Sequence, residues 1–168
     1  IGIALLLIII YIAWAFRKVS YPVASWKYGL TAIIALAHNT LITVGVFSVL
    51  GHYLGMEVDS LFVSALLTLL GFSVHDTIVV YDRTREKIFK HSVDNFGDTV
   101  NKSLNDTLVR SINTGMCTLL VLVALFMFGG NTIKNFSLAL IVGISIGTYS
   151  SIFVASPLLV DWARLNKR

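Results

Sequence analysis

The chain has 168 residues, of which 56% are hydrophobic and 13% are charged, and its formal net charge is +4. A soluble domain usually carries about 25% charged residues, so this composition excludes a soluble protein and indicates an integral membrane protein. The basic residues lie at the ends of apolar runs and not in one patch, which favours membrane topology over nucleic-acid binding as their explanation.

Long apolar runs separated by polar connections predict an all-α membrane protein, a bundle of five transmembrane helices. The first run stops at Phe16 and is too short to cross a bilayer unless residues precede Ile1. Because the chain also opens without a methionine or a charged region, we expect it to be a fragment of a longer protein. The predicted spans are 1–16, 28–50, 61–81, 108–128 and 136–160.

The distribution of lysine and arginine predicts the orientation of these spans. Three basic residues follow the first span, five lie between the third and fourth spans, and three are at the C-terminus. The two connections on the other side of the membrane hold only Lys134. Because basic connections stay in the cytoplasm, this bias places the C-terminus there.

The long connection after the third span has a pattern of its own. Apolar residues recur at three- and four-residue steps from Phe89 to Leu108, with polar residues between them. This period predicts an amphipathic helix over 88–106 on the cytoplasmic face of the membrane. A helix packed against the ends of the spans and a docking site for a partner both fit the pattern.

The fifth span carries a small residue at every fourth position. Within this stripe the sequence GISIG places Gly143 and Gly147 in a GxxxG motif, and Ser151 follows four residues later. Helices in lipid pack closely along such stripes, so these three residues are predicted to serve helix packing.

The third span contains two ionisable residues, His75 and Asp76, ahead of a charged end that begins at Asp82. At 1.5 Å per residue, Asp76 lies roughly 9 Å inside the apolar segment. A carboxylate at that depth is costly and marks a candidate functional site. Arg110, near the start of the fourth span, lies at a similar depth if the two spans pack together. A nearby guanidinium favours the ionised carboxylate and burial disfavours it, so relative movement of the two groups would switch proton binding.

Other roles for these residues stay open at this point. A static ion pair between Asp76 and Arg110 would fix helix packing without handling protons. Arg110 also has the length to extend its charge to the membrane surface as a flanking residue. His75 titrates in a range suited to proton transfer, and its ring is equally suited to a polar contact between helices.

Enzyme motifs are absent from the sequence. The chain has no HExxH, GxSxG or P-loop pattern. Asp76 is the only carboxylate in a predicted span, whereas an intramembrane aspartyl protease needs two. The lone cysteine, Cys117, excludes a disulfide framework and has no histidine at its depth. We therefore expect no enzymatic active site, no cofactor and no metal.

Two blocks of the sequence, GFSVHDTIVVYDRTREK and LNDTLVRSINTGMCTLL, together resemble the SecF branch of the SecD/SecF family of protein-export membrane proteins. The block GFSVHDTIVVYDRTREK, from Gly71 to Lys87, resembles the family pattern G-[YF]-S-[IV]-N-D-T-[IV]-V-V-[FY]-D-R-x-R-E at the end of the fourth span. The block LNDTLVRSINTGMCTLL resembles the start of the fifth span. The spacing of the blocks also fits, and the resemblance covers the whole chain as spans two to six.

This resemblance implies a subunit of bacterial protein export. The family belongs to the resistance-nodulation-division superfamily, so the chain would form one half of such a transmembrane domain, without the family's first span and extracytoplasmic domain. Its members pair with SecD and use the proton motive force to help export unfolded proteins across the cell inner (cytoplasmic) membrane. The implied partners are SecD, the SecYEG translocon with SecA, YajC and YidC.

The resemblance also assigns roles to individual residues. Asp76 matches the family's membrane-embedded aspartate, and Arg110 matches the arginine that responds to its proton. His75 stands where many members carry asparagine, and Asp106 stands where glutamine is frequent, but neither change removes a residue that the relay needs. The residues predicted to line the relay are His75, Thr77, Asn113 and Thr114.

Two alternative functions stay open beside this one. A purely structural subunit would stabilise the translocon through the small-residue stripe of the fifth span. A proton-driven exporter of small molecules from the same superfamily would share the membrane architecture and differ in the missing extracytoplasmic domain.

Overall fold

In the computed structural model, the described part of the chain is all-helical, as the apolar runs predict. The structure describes residues 25–90 and 96–165, with a few isolated positions before residue 15. The predicted span 1–16 therefore lies outside the described residues. The helices are α1 (Ser25–Leu54), α2 (Ser60–Lys90), α3 (Phe96–Phe128), α4 (Asn131–Ser150) and α5 (Ser156–Leu165).

Four helical segments of the described chain are long and apolar enough to cross a membrane. Three of them are α1, α2 and α3. The fourth consists of α4 and α5, which a π-helical turn, Ser151–Ala155, joins without a break. Each predicted span from 28–50 onward lies within one of these four segments.

Glycine and aspartate set the boundary between α1 and α2. Gly55 adopts a φ of 66°, a left-handed conformation that glycine enters without strain, and its amide donates to the carbonyl oxygen of Gly51 at 3.1 Å. Asp59 then caps α2, because its Oδ1 accepts a hydrogen bond of 2.8 Å from the amide of Phe62. The left-handed glycine and the aspartate cap thus reverse the direction of the chain between α1 and α2.

Replacing Asp59 with alanine is expected to destabilise the protein by about 1 kcal/mol, because the amide of Phe62 loses its acceptor. Asp59→Asn keeps an oxygen that accepts this bond and serves as the matched control. Thermal unfolding in detergent micelles measures both variants. Equal unfolding midpoints for the alanine and asparagine variants would contradict the assignment of Asp59 as the cap.

The amphipathic helix predicted over 88–106 is not a separate element. Residues 88–90 complete α2, and residues 96–106 are the first turns of α3. Phe96 and Val100, on the apolar side of the pattern, are buried in the bundle. The helix continues from these residues into the membrane span because no proline interrupts it. With 33 residues, α3 is about 50 Å long and exceeds the roughly 30 Å of a hydrocarbon core.

Buried apolar side chains form two groups at opposite ends of the bundle. The first joins the start of α1 to the end of α2, the start of α3 and α5, and includes Tyr28, Phe96 and Leu159. The second joins the end of α1 to the start of α2 and to α4, and includes Phe47 and Leu140. Because lipid tails are as apolar as these side chains, the hydrophobic effect does not hold the helices together. Close packing and polar contacts between the helices do so instead.

The small-residue stripe lies where α4 crosses α2. Gly143 is buried against Leu69, and a Cβ at this glycine would lie only 2.6 Å from both of that leucine's methyl carbons. Gly147 lies one turn further along α4, where a Cβ would be 3.5 Å from the side chain of Ser73. An added side chain is therefore excluded by Leu69 at Gly143, whereas at Gly147 it would make an ordinary van der Waals contact with Ser73.

Candidate functional site

Asp76 lies on the side of α2 that packs against the last membrane segment. Only 9% of its surface is exposed. The hydroxyl of Ser151 donates a hydrogen bond of 2.8 Å to Oδ2 of Asp76. A carboxylate in an apolar surrounding needs such a donor, so Ser151 provides a polar contact in addition to its place in the packing stripe.

The π-helical turn places Ser151 at its first position, opposite Asp76. Pro157, six residues later, has no N–H and its ring crowds the carbonyl one turn before it, which gives the physical reason for a wider turn here. The hydroxyl of Ser156 donates to the carbonyl oxygen of Ser151 at 2.9 Å. Single π turns of this kind are frequent at functional sites. Sequence reasoning missed the turn, although a proline inside a predicted span was the available signal.

A second polar contact joins α1 to α2 one turn away from Asp76. The amide of Asn39, which is 1% exposed, donates to Oγ of Ser73 at 2.6 Å. The Oδ1 atom of the same asparagine lies 3.1 Å from Nδ1 of His38. The bond to Ser73 fixes α1 beside the stretch of α2 that carries the carboxylate.

Tyr81 forms a third connection, toward the charged end of α2. Its hydroxyl lies 2.7 Å from Oγ1 of Thr31 and 3.1 Å from the carbonyl oxygen of Ala155, the last residue of the π turn. The side chain is 1% exposed. Three helical segments therefore meet at this hydroxyl, although the sequence indicates only that Tyr81 ends a predicted span.

Arg110 does not contact Asp76 in this conformation. Helices α2 and α3 pack together, yet Arg110 is exposed, and no ion pair links it to Asp76 among residues 25–90 and 96–165. Arg110 instead lines a cavity of about 360 Å³ together with Val79, which lies roughly one turn beyond Asp76 along α2. Three carboxylates also line this cavity: Asp82, Glu86 and Asp106.

A charged network joins α2 to α3 at this end of the bundle. Arg83 pairs with Glu86 at 2.5 Å and with Asp106 at 3.0 Å, and Lys87 pairs with Asp106 at 2.8 Å. The side chains are 21–40% exposed, so solvent screens these pairs and they orient the helices more than they stabilise them. Arg110 takes no part in the network.

The residues predicted to line the relay divide between the interior and the surface. Thr77 is buried, but its hydroxyl donates to the carbonyl of Ser73 within α2 and does not reach Asp76. His75 is exposed, as are Asn113 and Thr114 on α3. No cluster of three or more histidine, cysteine, aspartate or glutamate side chains suited to a metal ion occurs in the described part of the chain.

The family model described as "Protein export membrane protein SecD/SecF, C-terminal" matches residues 1–165. The chain belongs to the SecD/SecF family. This membership confirms the resemblance drawn from two sequence blocks, which lie on α2 and on α3. It also confirms a multi-pass membrane protein.

Named relatives of the SecD/SecF family are similar over nearly the whole chain. The protein translocase subunit SecF of Thermobaculum terrenum is 57% identical over 162 residues, which are 96% of this chain and 50% of the relative. The protein of the same name from Synechocystis is 49% identical over 162 residues, 96% of this chain and 49% of the relative. The chain thus spans about half the length of the curated relatives it matches.

Solved SecDF structures share the fold. The crystal structure of SecDF from Thermus thermophilus, a translocon-associated membrane protein, has a TM-score of 0.84 and 39% identity, and the match covers 95% of this chain and 21% of that one. A SecDF crystal structure in a super-membrane-facing form has a TM-score of 0.82 and 41% identity, covering 97% of this chain and 21% of that one.

Proposed function

We propose that this chain is the transmembrane part of a SecF subunit that uses the proton motive force to assist protein export in a complex with SecD. The names of the relatives and the SecDF structures support the export role. The observation that carries the proton role is Asp76, a carboxylate buried within an apolar helix, which among the described residues accepts a side-chain hydrogen bond from Ser151 alone. Ionisable groups in such places commonly serve proton relays.

In this proposal Asp76 binds and releases the proton, and Arg110 responds to its charge. An ionised Asp76 attracts the guanidinium across a medium of low dielectric constant, whereas a protonated one does not. The cavity where Arg110 lies offers it three other carboxylates. Arg110 thus has two alternative surroundings, and the charge of Asp76 selects between them by shifting α3 against α2.

The polar surface of α3 supports a partner at this face. Arg110, Asn113, Thr114 and Cys117 are all exposed in this chain alone, although they lie in an apolar span. Polar groups facing lipid are costly, so a second protein surface is expected to cover them. We propose that SecD covers this face and completes the proton path.

The remaining topology and partners follow from the same proposal. The proposal puts the C-terminus in the cytoplasm and the protein in the inner membrane. SecYEG with SecA, and YajC and YidC, are the proposed partners at the export site. The first turns of α3, a helix longer than the membrane is thick, would then extend into the cytoplasm.

The proposed function is tested in membrane vesicles that contain the translocon, the full-length protein and SecD. We expect an imposed proton gradient to accelerate the late stage of export of an unfolded preprotein. Vesicles without the full-length protein and SecD provide the control and should lack this acceleration. Equal export with and without the gradient would contradict the proposal.

A purely structural translocon subunit is the second candidate, and the tight contact of Gly143 with Leu69 favours it. It predicts that disturbing this contact impairs export while neutralising Asp76 does not. The names of the relatives weigh against the third candidate, an exporter of small molecules.

A further inference from the structure

The hydroxyl of Ser151 lies within hydrogen-bond distance of two acceptors. Oδ2 of Asp76 is 2.8 Å away, and the carbonyl oxygen of Thr148, in the last turn of α4, is 3.0 Å away. A serine hydroxyl has one proton and two lone pairs, so it can donate to only one of these oxygens at a time. Ser151 is 1% exposed, which leaves no room for bulk water to take either role.

We propose that Ser151 is a positioning residue of the proton relay, whose hydroxyl transmits the charge of Asp76 to the last membrane segment. This inference rests on the proposed function of Asp76. While Asp76 is ionised, the Ser151 hydroxyl donates to Oδ2. When a proton binds Oδ2, the new O–H donates to Oγ of Ser151, and the serine proton rotates to the carbonyl oxygen of Thr148. The carboxylate gains one proton and the serine keeps its own.

The π turn makes this exchange consequential for the helix. Ser151 is the first residue of the turn and Ala155 is the last, and each is tied to α2, the first through Asp76 and the second through the hydroxyl of Tyr81. A π turn has more residues per turn than an α-helix and is uncommon, so side-chain contacts such as these hold it in place. Changing one of the two contacts alters the balance between a π and an α turn, and hence the direction of α5 relative to α4.

Ser150, the last residue of α4 and the neighbour of the π turn, provides a matched comparison. It is also fully buried, but its hydroxyl donates to the carbonyl oxygen of Gly147 in its own helix at 3.2 Å and has no bond to α2. Ser150→Ala therefore removes an equivalent hydroxyl group from the adjacent buried position and leaves the hydrogen bond between Ser151 and Asp76 in place. Ser151→Thr keeps the hydroxyl and tests whether that group, and not the shape of serine, is required.

The test measures proton flux in vesicles that contain the full-length protein with its partner. We expect Ser151→Ala to lower the flux about tenfold, as for the loss of a hydrogen bond to a charged group. Ser150→Ala should leave the flux nearly unchanged, and Ser151→Thr should retain most of it. Co-purification with the partner checks that every variant assembles.

Infrared difference spectroscopy measures the carbonyl stretching frequency of protonated Asp76, which depends on its hydrogen bonds and would not change through loss of packing alone. The carbonyl stretch of protonated Asp76 is identified by its disappearance in Asp76→Asn. We expect this band to move to higher wavenumber in Ser151→Ala, where the protonated carboxyl has lost its acceptor, and to stay in place in Ser150→Ala. An unmoved band in Ser151→Ala, or equal flux losses in the two alanine variants, would overturn the inference.

These outcomes also separate the inference from the function on which it rests. If Asp76→Asn abolishes the flux while Ser151→Ala leaves flux and band unchanged, only the role of Ser151 is wrong. If Asp76→Asn leaves the flux intact, the proton role of Asp76 is wrong and the role of Ser151 is lost with it.

Discussion

Replacing Asp76 with asparagine is expected to lower proton flux by about 100-fold or more, the size typical of losing a group that transfers a proton. The amide keeps the shape of the side chain and an oxygen that accepts the Ser151 hydrogen bond. Unlike a carboxylate, however, the amide does not bind and release a proton at physiological pH. The measurement uses vesicles with the full-length protein and its partner, loaded with a pH-sensitive dye. Export should lose its acceleration by the gradient in parallel.

Glu57→Gln is the control for this prediction. It neutralises one carboxylate as well, but Glu57 is exposed in the short connection before α2. The control should retain native flux, and both variants should co-purify with the partner in native amounts. Native flux in an assembled Asp76→Asn complex would remove the proton role and leave the structural-subunit hypothesis ahead.

Gly143→Ala is expected to destabilise the protein by about 1–3 kcal/mol, the usual effect of overfilling a packed site. The new methyl would lie 2.6 Å from both methyl carbons of Leu69, and that leucine is 1% exposed and enclosed by the second apolar group. Either Leu69 must leave its position or α4 must move away from α2. The same shift would disturb Ser151, two turns further along.

Gly147→Ala is the matched control, because its methyl would meet Ser73 at an ordinary distance of 3.5 Å. Thermal unfolding in micelles should show a lower midpoint for Gly143→Ala and little change for Gly147→Ala. In a Leu69→Ala background, which opens space for the methyl, the effect of Gly143→Ala should shrink. Equal effects of the two glycine substitutions in the native background would contradict the close contact at Gly143.

The candidate site illustrates how far sequence reasoning extends. The depth of Asp76 within its span follows from counting residues back from Asp82, because the rise of a helix is constant. The partners of Asp76 do not follow in this way. Arg110 was the expected neighbour on grounds of charge and depth, but the structure places Ser151 at Asp76 and leaves Arg110 in the cavity one turn away. A serine in a small-residue stripe carries no sign that its hydroxyl faces a carboxylate on another helix.

The chain by itself determined the membrane environment, the helical class, the four spans of its described part and the position of the buried carboxylate, because hydropathy, period and helix rise are local properties. Only the tertiary structure decided that the amphipathic segment continues α3, that a π turn divides the last span, and which side chains meet at Asp76. Those outcomes depend on helix rotation and on contacts between residues far apart in the chain. One extra residue in a helical turn, as in the π turn, moves the following side chains to another face of the helix. No local sequence pattern fixes this rotation.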